Sequence, residues 1–186
     1  MSASTNTLST ADLRRETVIR SAVIVFAQAG YLGTPTSAVA EHAQISTAYV
    51  FKLFPRKQDL FVAAFESCCD QIIAALEAGA DRADAQTPEA LLAAMGTAYA
   101  QLIADRSLML LQVHAQSAAS EPEIAAALRD GLGRIVTFVK TRSQASDEAV
   151  QHFVAYGQLC HLITVAGLGD EYAAWARLLT RGIQHF

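Results

Sequence analysis

The sequence predicts an all-α protein of about nine helices, and three observations carry that reading. Apolar residues recur, segment after segment, at the i, i+3, i+4 spacing that lines one face of a helix. Hydroxyl residues followed by proline, at Thr34-Pro35 and Thr87-Pro88, mark helix starts, because the hydroxyl accepts an orphan N–H and proline has none to lose. No stretch of useful length alternates apolar and polar residues as a half-buried strand would.

The first helix is expected to start near Ser9-Thr10-Ala11-Asp12, after a short arm read as disordered, and to run to Ala29. Its core face is Val18, Ile19, Ala22, Val23, Phe26 and Ala27, and Gly30 is expected to close it as a left-handed cap. Thr34 then caps a short helix with Ala38, Val39 and Ala43 inward. After the break Ala43-Gln44-Ile45-Ser46, Ser46 caps another, with Val50, Phe51 and Phe54 inward and Thr47, Tyr49 and Lys52 outward. A helix too short to be stable alone, carrying a hydroxyl, a phenol and an ammonium outside, suits a helix-turn-helix entering a major groove. The same pattern also suits an ordinary αα-hairpin.

Pro55 stops that helix, and a fourth runs from about Arg56-Lys57 to Asp81 through Leu60, Phe61, Ala64, Phe65, Cys68, Ile72, Ile73 and Leu76, long enough to connect two domains. The fifth runs from Thr87-Pro88-Glu89 through Leu91, Leu92, Met95, Tyr99 and Leu102, and the sixth from Leu108 to Ala119. Glu121-Pro122-Glu123 opens the seventh, reaching Arg142. Ser146 caps the eighth, which Gly167-Leu168-Gly169 ends, and Asp170-Glu171 starts a ninth through Trp175, Leu178 and Leu179 to the C-terminus. The eighth helix is apolar on more than one side, so it is buried on more than one side. Either a second subunit covers it, with Gly157 letting backbones approach, or it is the central helix of a monomer.

Composition narrows the function classes. With 186 residues, 52% hydrophobic and 17% charged, the chain suffices for one or two packed domains. No apolar run approaches the roughly 20 residues that span a membrane, and the N-terminus lacks the apolar core of a secretory signal. Three cysteines, two of them the adjacent Cys68 and Cys69, make neither a disulfide framework nor a metal site, and the default is a reducing cytoplasm. Cys68-Cys69 reads as buried structural thiols, with a redox pair as the alternative. The net charge of −4 divides into +2 for residues 1–62 and −6 for the remainder, which gives one end suited to DNA and a body that DNA repels. No phosphate loop, nucleophile elbow or paired-carboxylate motif is present, and His114, His152, His161 and His185 have no convincing carboxylate partner at helical spacing, so neither a catalytic residue nor a cofactor is expected.

From Val18 the segment VIRSAVIVFAQAGYLGTPTSAVAEHAQISTAYVFKLFPRKQDLFVAAF resembles the DNA-binding domain of TetR/AcrR-family transcriptional regulators. The likeness is carried by Phe26, Gly30-Tyr31, Thr34, Val39-Ala40, Ala43, Ile45-Ser46, Phe51, Phe54, Lys57 and Leu60-Phe61, over about a quarter of the chain. Three departures stand out. Gln44 and Ala48 replace frequent glycines, the first in a turn that often needs φ > 0, and Phe51 stands where many members carry a phosphate-contacting tyrosine, for which Tyr49 is the candidate substitute.

The resemblance implies residues 1–56 as arm and helix-turn-helix domain and residues 57–186 as effector-binding and dimerisation domain. It implies a repressor that binds a palindromic double-stranded DNA operator as a homodimer and is released by a small-molecule effector. A helical ligand-binding protein or enzyme retaining a helix-turn-helix-like hairpin is the alternative. The DNA-facing candidates are Thr34, Thr36, Ser37, Ser46, Thr47, Ala48, Tyr49, Lys52 and Lys57. Lys57 is weighed for a phosphate because two cations, Arg56 and Lys57, open a helix whose dipole opposes them; the alternative is that Gln58 and Asp59 offset the charge. Met95, Tyr99, Met109, Gln112, His114 and Gln116 are the ligand candidates, a mixture that equally suits a core helix with a wet side. In the family the last two helices form a four-helix bundle with their symmetry mates, which gives Phe153, Tyr156, Gly157, Cys160, Ile163, Trp175, Leu178 and Leu179 as interface candidates.

Overall fold

The computed structural model describes residues Thr10 to Ile183. The expected N-terminal arm and His185 lie outside the described residues, and the last helix, expected to run to the C-terminus, already ends at Thr180, where Arg181 takes up an extended conformation. Within them the chain is all-α: α1 (Thr10–Gly33), α2 (Thr36–His42), α3 (Thr47–Leu53), α4 (Lys57–Asp81), α5 (Pro88–Ile103), α6 (Arg106–Ser117), α7 (Pro122–Ser143), α8 (Asp147–Val165) and α9 (Ala174–Thr180), with a 3₁₀ turn at Leu168–Asp170.

Local signals fixed most boundaries. The Ser46, Thr87 and Ser146 side chains accept the N–H groups of Tyr49, Ala90 and Ala149. Asp105 caps α6 in the same way through Ser107 N–H. Thr34 differs from expectation: α2 starts after Pro35, and the buried Thr34 hydroxyl donates instead to the Val25 carbonyl at 3.4 Å. Gly30 interrupts α1 where predicted, but at φ 70°, ψ −176° it is not a left-handed cap, and one more turn follows to Gly33. The ninth helix starts at Ala174 rather than Asp170, which lies in the 3₁₀ turn.

The turn between α2 and α3 holds Gln44 at φ 56°, the left-handed conformation the sequence suggested there. A non-glycine residue in that region costs about 1–2 kcal/mol, and glycine gives back about 0.4–1 kcal/mol in unfolded-chain entropy. Gln44→Gly is therefore expected to raise stability by about 0.5 kcal/mol in urea unfolding; a variant less stable than the parent would show that the turn carries no strain.

One apolar cluster runs without a break from α1 to α8, through Phe26, Phe61, Cys68, Ile72, Leu91, Leu111 and Ile124. Phe61 sits edge-on to Phe26 and Tyr31, with ring centroids at 4.9 and 5.4 Å, so the start of α4 is locked to the end of α1. Burying such a ring contributes about 2–3 kcal/mol. Farther along, α4 crosses α5 at Gly79, where a Cβ would lie 2.8 Å from the Ala94 carbonyl oxygen. Ion pairs Arg134–Asp70 and Arg142–Asp81 tie α7 to the outer side of α4. Cys68 and Cys69 are buried in this core, where desolvation pushes both thiols up, Cys69 to about 11, so neither is a ready thiolate.

Candidate nucleic-acid interface and ligand cavity

Helix α3 is seven residues long, and its phase decides what it can offer DNA. Val50 and the following Phe54 are buried, which anchors the helix on α1 and α2. Opposite them, Ala48, Phe51 and Lys52 are exposed. Phe51 was expected inside but is 45% exposed, because adjacent positions on a helix are 100° apart and Val50 takes the inward one. Thr47 and Tyr49 are half-buried at the edges of the outward face, and Ser46 is used as the cap.

Of the α2 candidates, Ser37 is exposed, whereas Thr34 and Thr36 are buried at 2% and 8% exposure. Their side chains hold the helix-turn-helix together rather than facing outward. Two arginines missed as site residues do face α3: the Arg14 guanidinium lies 5.7 Å from the Tyr49 ring centre, and Arg15 lies 4.5 Å from that of Phe54. The available signal was the arginine pair near the start of α1, which the charge division counted without assigning a position.

Arg56 and Lys57 resolve differently from one another. The Asp59 carboxylate accepts from the Arg56 backbone N–H and from its guanidinium, which also reaches Glu123 of α7 at 3.2 Å. That hydrogen bonding holds the Asp59 carboxyl below the usual carboxylate range, so the charge of Arg56 is offset within the chain, by Asp59 and Glu123. The Lys57 ammonium donates to the Thr34 carbonyl at 3.3 Å and lies 4.6 Å from the centre of the Tyr31 ring. Lys57 thus joins α4 to the α1–α2 turn whatever else it touches.

In the body, a cavity of about 590 Å³ lies among α4, α5, α7 and α8. Ile72 and Leu76 of α4 form part of its wall, and Tyr99, Gln112, Leu132, Phe153 and Gly157 form others. Two of the six ligand candidates, Tyr99 and Gln112, therefore line it. Met95 and Met109 are fully buried in packed core. His114 faces the other way, toward Gly30 at the end of α1, and Gln116 donates to the Gln158 amide oxygen on the surface. Sequence reasoning missed the α7 and α8 walls.

Behind Tyr99 lies His161, its Nε2 2.6 Å from the phenol oxygen, and Gln112 is the other polar group near that hydroxyl. Desolvation pushes the Tyr99 phenol up and the His161 imidazole down to about 4, so both are neutral at pH 7. Unfolded, His161 takes up a proton as pH falls below about 6.5; folded, it resists until about 4. This contribution to stability is complete above the unfolded value and is lost as pH falls through that window, by about 3 kcal/mol at its lower end. Urea unfolding of the parent and of His161→Gln at pH 7 and pH 4 checks this: the parent should lose more, and equal losses would place the acid sensitivity elsewhere.

The interface candidates divide into two sets. Phe153, Tyr156, Gly157 and Cys160 line the cavity, Leu179 packs inward, and Ile163 is at 0% exposure in the core of a single chain with Ile103, Met109 and Leu168. Trp175 and Leu178 are 58% and 75% exposed. Leu162, Val165 and Tyr172, which sequence reading did not assign to an interface, are also exposed on α8 and the segment leading to α9.

Residues 18–64 match the family model of bacterial regulatory proteins of the tetR family. No curated protein matches the chain. Among solved structures it is similar to the transcriptional regulator FadR from Bacillus subtilis, whose structure is in complex with stearoyl-CoA, at 18% identity and TM-score 0.68 over 89% of this chain and 93% of that one. It is also similar to a TetR-like transcriptional regulator from Rhodococcus sp. RHA1, at 20% identity and TM-score 0.65 over 93% and 94% of the two chains. A TetR family member from Streptomyces coelicolor A3 aligns at 24% identity and TM-score 0.64 over 90% and 96%. At such identities the likeness of the whole chain is a likeness of fold.

Proposed function

As a TetR-family protein this chain is a DNA-binding transcriptional regulator, and we propose that it works in the cytoplasm as a homodimeric repressor that a small molecule releases from a palindromic operator. The observation that carries the DNA half is the outward face of α3, Ala48, Phe51 and Lys52, on a helix without an acidic residue and flanked by Arg14 and Arg15. Lys52 is suited to a base edge, Phe51 and Ala48 to a thymine methyl, and Arg14, Ser37 and Lys57 to phosphates. Tyr49, at the edge of the outward face beside Arg14, is suited to a phosphate as well, and the remaining candidates, Thr34, Thr36, Ser46 and Thr47, serve mainly to fix the hairpin.

The dimer half rests on the exposed Leu162, Val165, Tyr172, Trp175 and Leu178, an apolar surface that a second copy related by a two-fold axis would cover. Two α3 helices related by that axis read half-sites related by the same axis. Domain boundaries at 1–56 and 57–186 divide the DNA-facing hairpin from the body, although the apolar core is continuous across them.

Release follows from α4. It begins at Lys57, beside the α1–α2 turn, and reaches the cavity wall at Ile72 and Leu76. A ligand that favours a tilted α4 changes the spacing of the two α3 helices and so disfavours the operator, by about 1–3 kcal/mol and reciprocally. Stearoyl-CoA bound to the B. subtilis relative supports a ligand-binding role for a body of this fold.

Duplexes selected from random DNA test the reading. Binding should weaken with salt at a log–log slope of several units, for about two to four phosphate contacts per subunit. Lys52→Ala should lose about 1–3 kcal/mol more on the selected site than on random duplex, while Arg14→Ala weakens both alike and makes the salt slope shallower. Salt-independent binding, or no preference for a palindromic site, would remove the operator reading.

A further inference from the structure

We propose that the effector cavity takes an uncharged, predominantly apolar molecule rather than one carrying a carboxylate, phosphate or ammonium group. The inference rests on the reading of the cavity as the effector site and goes further by naming the ligand's chemical class. The twenty described residues that line the cavity include no Lys, Arg, Asp or Glu. Their polar groups are few and largely engaged with one another: the Gln112 amide donates to the Tyr99 oxygen and the Leu108 carbonyl, and the Tyr156 hydroxyl donates to the Gly182 carbonyl. His152, the one imidazole among the described lining residues, is exposed at the cavity's edge.

Of the four cations on α7, Arg129 is exposed and does not line the cavity, and the other three are directed elsewhere. Arg134, Lys140 and Arg142 pair with Asp70, Asp147 and Asp81 on the outer surface. The neutral His161 behind Tyr99 adds no positive charge to the wall. A charged ligand would lose its hydration and gain no counter-ion from the described lining residues, whereas an apolar one meets Ile72, Leu76, Leu132, Ile135 and Phe153. The volume of about 590 Å³ falls in the range that holds a drug-sized molecule.

Two fluorescent probes sharing one ring system separate charge from shape: neutral N-phenyl-1-naphthylamine and its sulfonated counterpart, 8-anilino-1-naphthalenesulfonate. Titrated into the full-length protein at pH 7.5, the neutral probe should bind at least ten-fold more tightly. Gly96→Phe should abolish that binding, because a side chain grown there has room at its base, 3.7 Å from the Phe153 ring, and projects into the cavity. Should that variant fail to give a parental circular dichroism melt, Gly157→Leu, whose Cβ would lie 3.6 Å from the Tyr99 ring, blocks the cavity from the α8 side. Equal or tighter binding of the sulfonate, still blocked by these substitutions, overturns the neutral class while keeping the cavity as a ligand site. Absence of binding by both probes, or binding that the substitutions leave unchanged, overturns the cavity reading and the inference with it.

Discussion

Ile163→Asp should remove a large share of the folding stability, whereas Leu178→Asp should leave a folded monomer of nearly parental stability. Both positions belong to the apolar C-terminal part, and sequence alone made them equivalent. Ile163 is at 0% exposure within one chain, packed with Ile103, Met109, Cys160 and Leu168. A carboxylate there has no partner, and an unpaired buried charge costs about 3–5 kcal/mol of a total stability on the order of 5–15 kcal/mol. Leu178 is 75% exposed, so in a single chain its replacement changes stability by about 0.5 kcal/mol or less. In the proposed dimer the same change places two carboxylates in an apolar contact. Thermal melts separate the two effects on folding, and sedimentation equilibrium reads the assembly. A Leu178→Asp protein that remains dimeric at micromolar concentration would move the interface away from α9, and a normally melting Ile163→Asp protein would contradict the packing of α8.

What the sequence made legible was what neighbours in the chain decide. Ser46, Thr87 and Ser146 cap their helices because a hydroxyl lies three residues from an orphan N–H, whatever the rest of the molecule does. Gln44 takes φ 56° because the turn between α2 and α3 is short. Thr34 was misread because α2 starts only after Pro35, which takes the cap position itself, so the Thr34 hydroxyl lies outside the cap and donates to the Val25 carbonyl nine residues back. Phe51 was misread because a seven-residue helix shows barely two turns, too few to fix its phase when Val50, Phe51 and Phe54 are all apolar.

The cavity was half legible for a related reason. Gln112, His114 and Gln116 stood out as polar residues in an apolar helix, yet spacing by two turns the side chain by about 200°. Hence Gln112 faces the cavity while His114 faces α1. On α8, apolarity all round announced burial on several sides but not by what. Phe153, Gly157 and Cys160 face the cavity, Ile163 faces the core, and Leu162 and Val165 face outward.

Gly30→Ala tests where the DNA-facing hairpin meets the body. At φ 70°, ψ −176° the backbone occupies a region open in practice only to glycine, and forcing a side chain into it costs about 1–3 kcal/mol. The new Cβ would also stand 2.7 Å from His114 Nδ1, so the imidazole or α6 itself must move. Together the two penalties should lower stability by about 2–4 kcal/mol and the melting temperature by on the order of 5–12 °C for a chain of this length. Adding His114→Ala removes the clash but not the dihedral strain, so the double variant should recover part of the loss and never all of it. His114 shares α6 with Gln112 of the cavity wall, and Gly30 breaks the last turn of the helix that carries Arg14 and packs on Phe61 at the start of α4. A rearrangement forced at this contact borders both the cavity wall and the helix-turn-helix, so in the proposed regulator the single variant should weaken DNA binding even at temperatures where it is fully folded. A Gly30→Ala protein that melts within one degree of the parent would mean that α1 continues past residue 30 without the break.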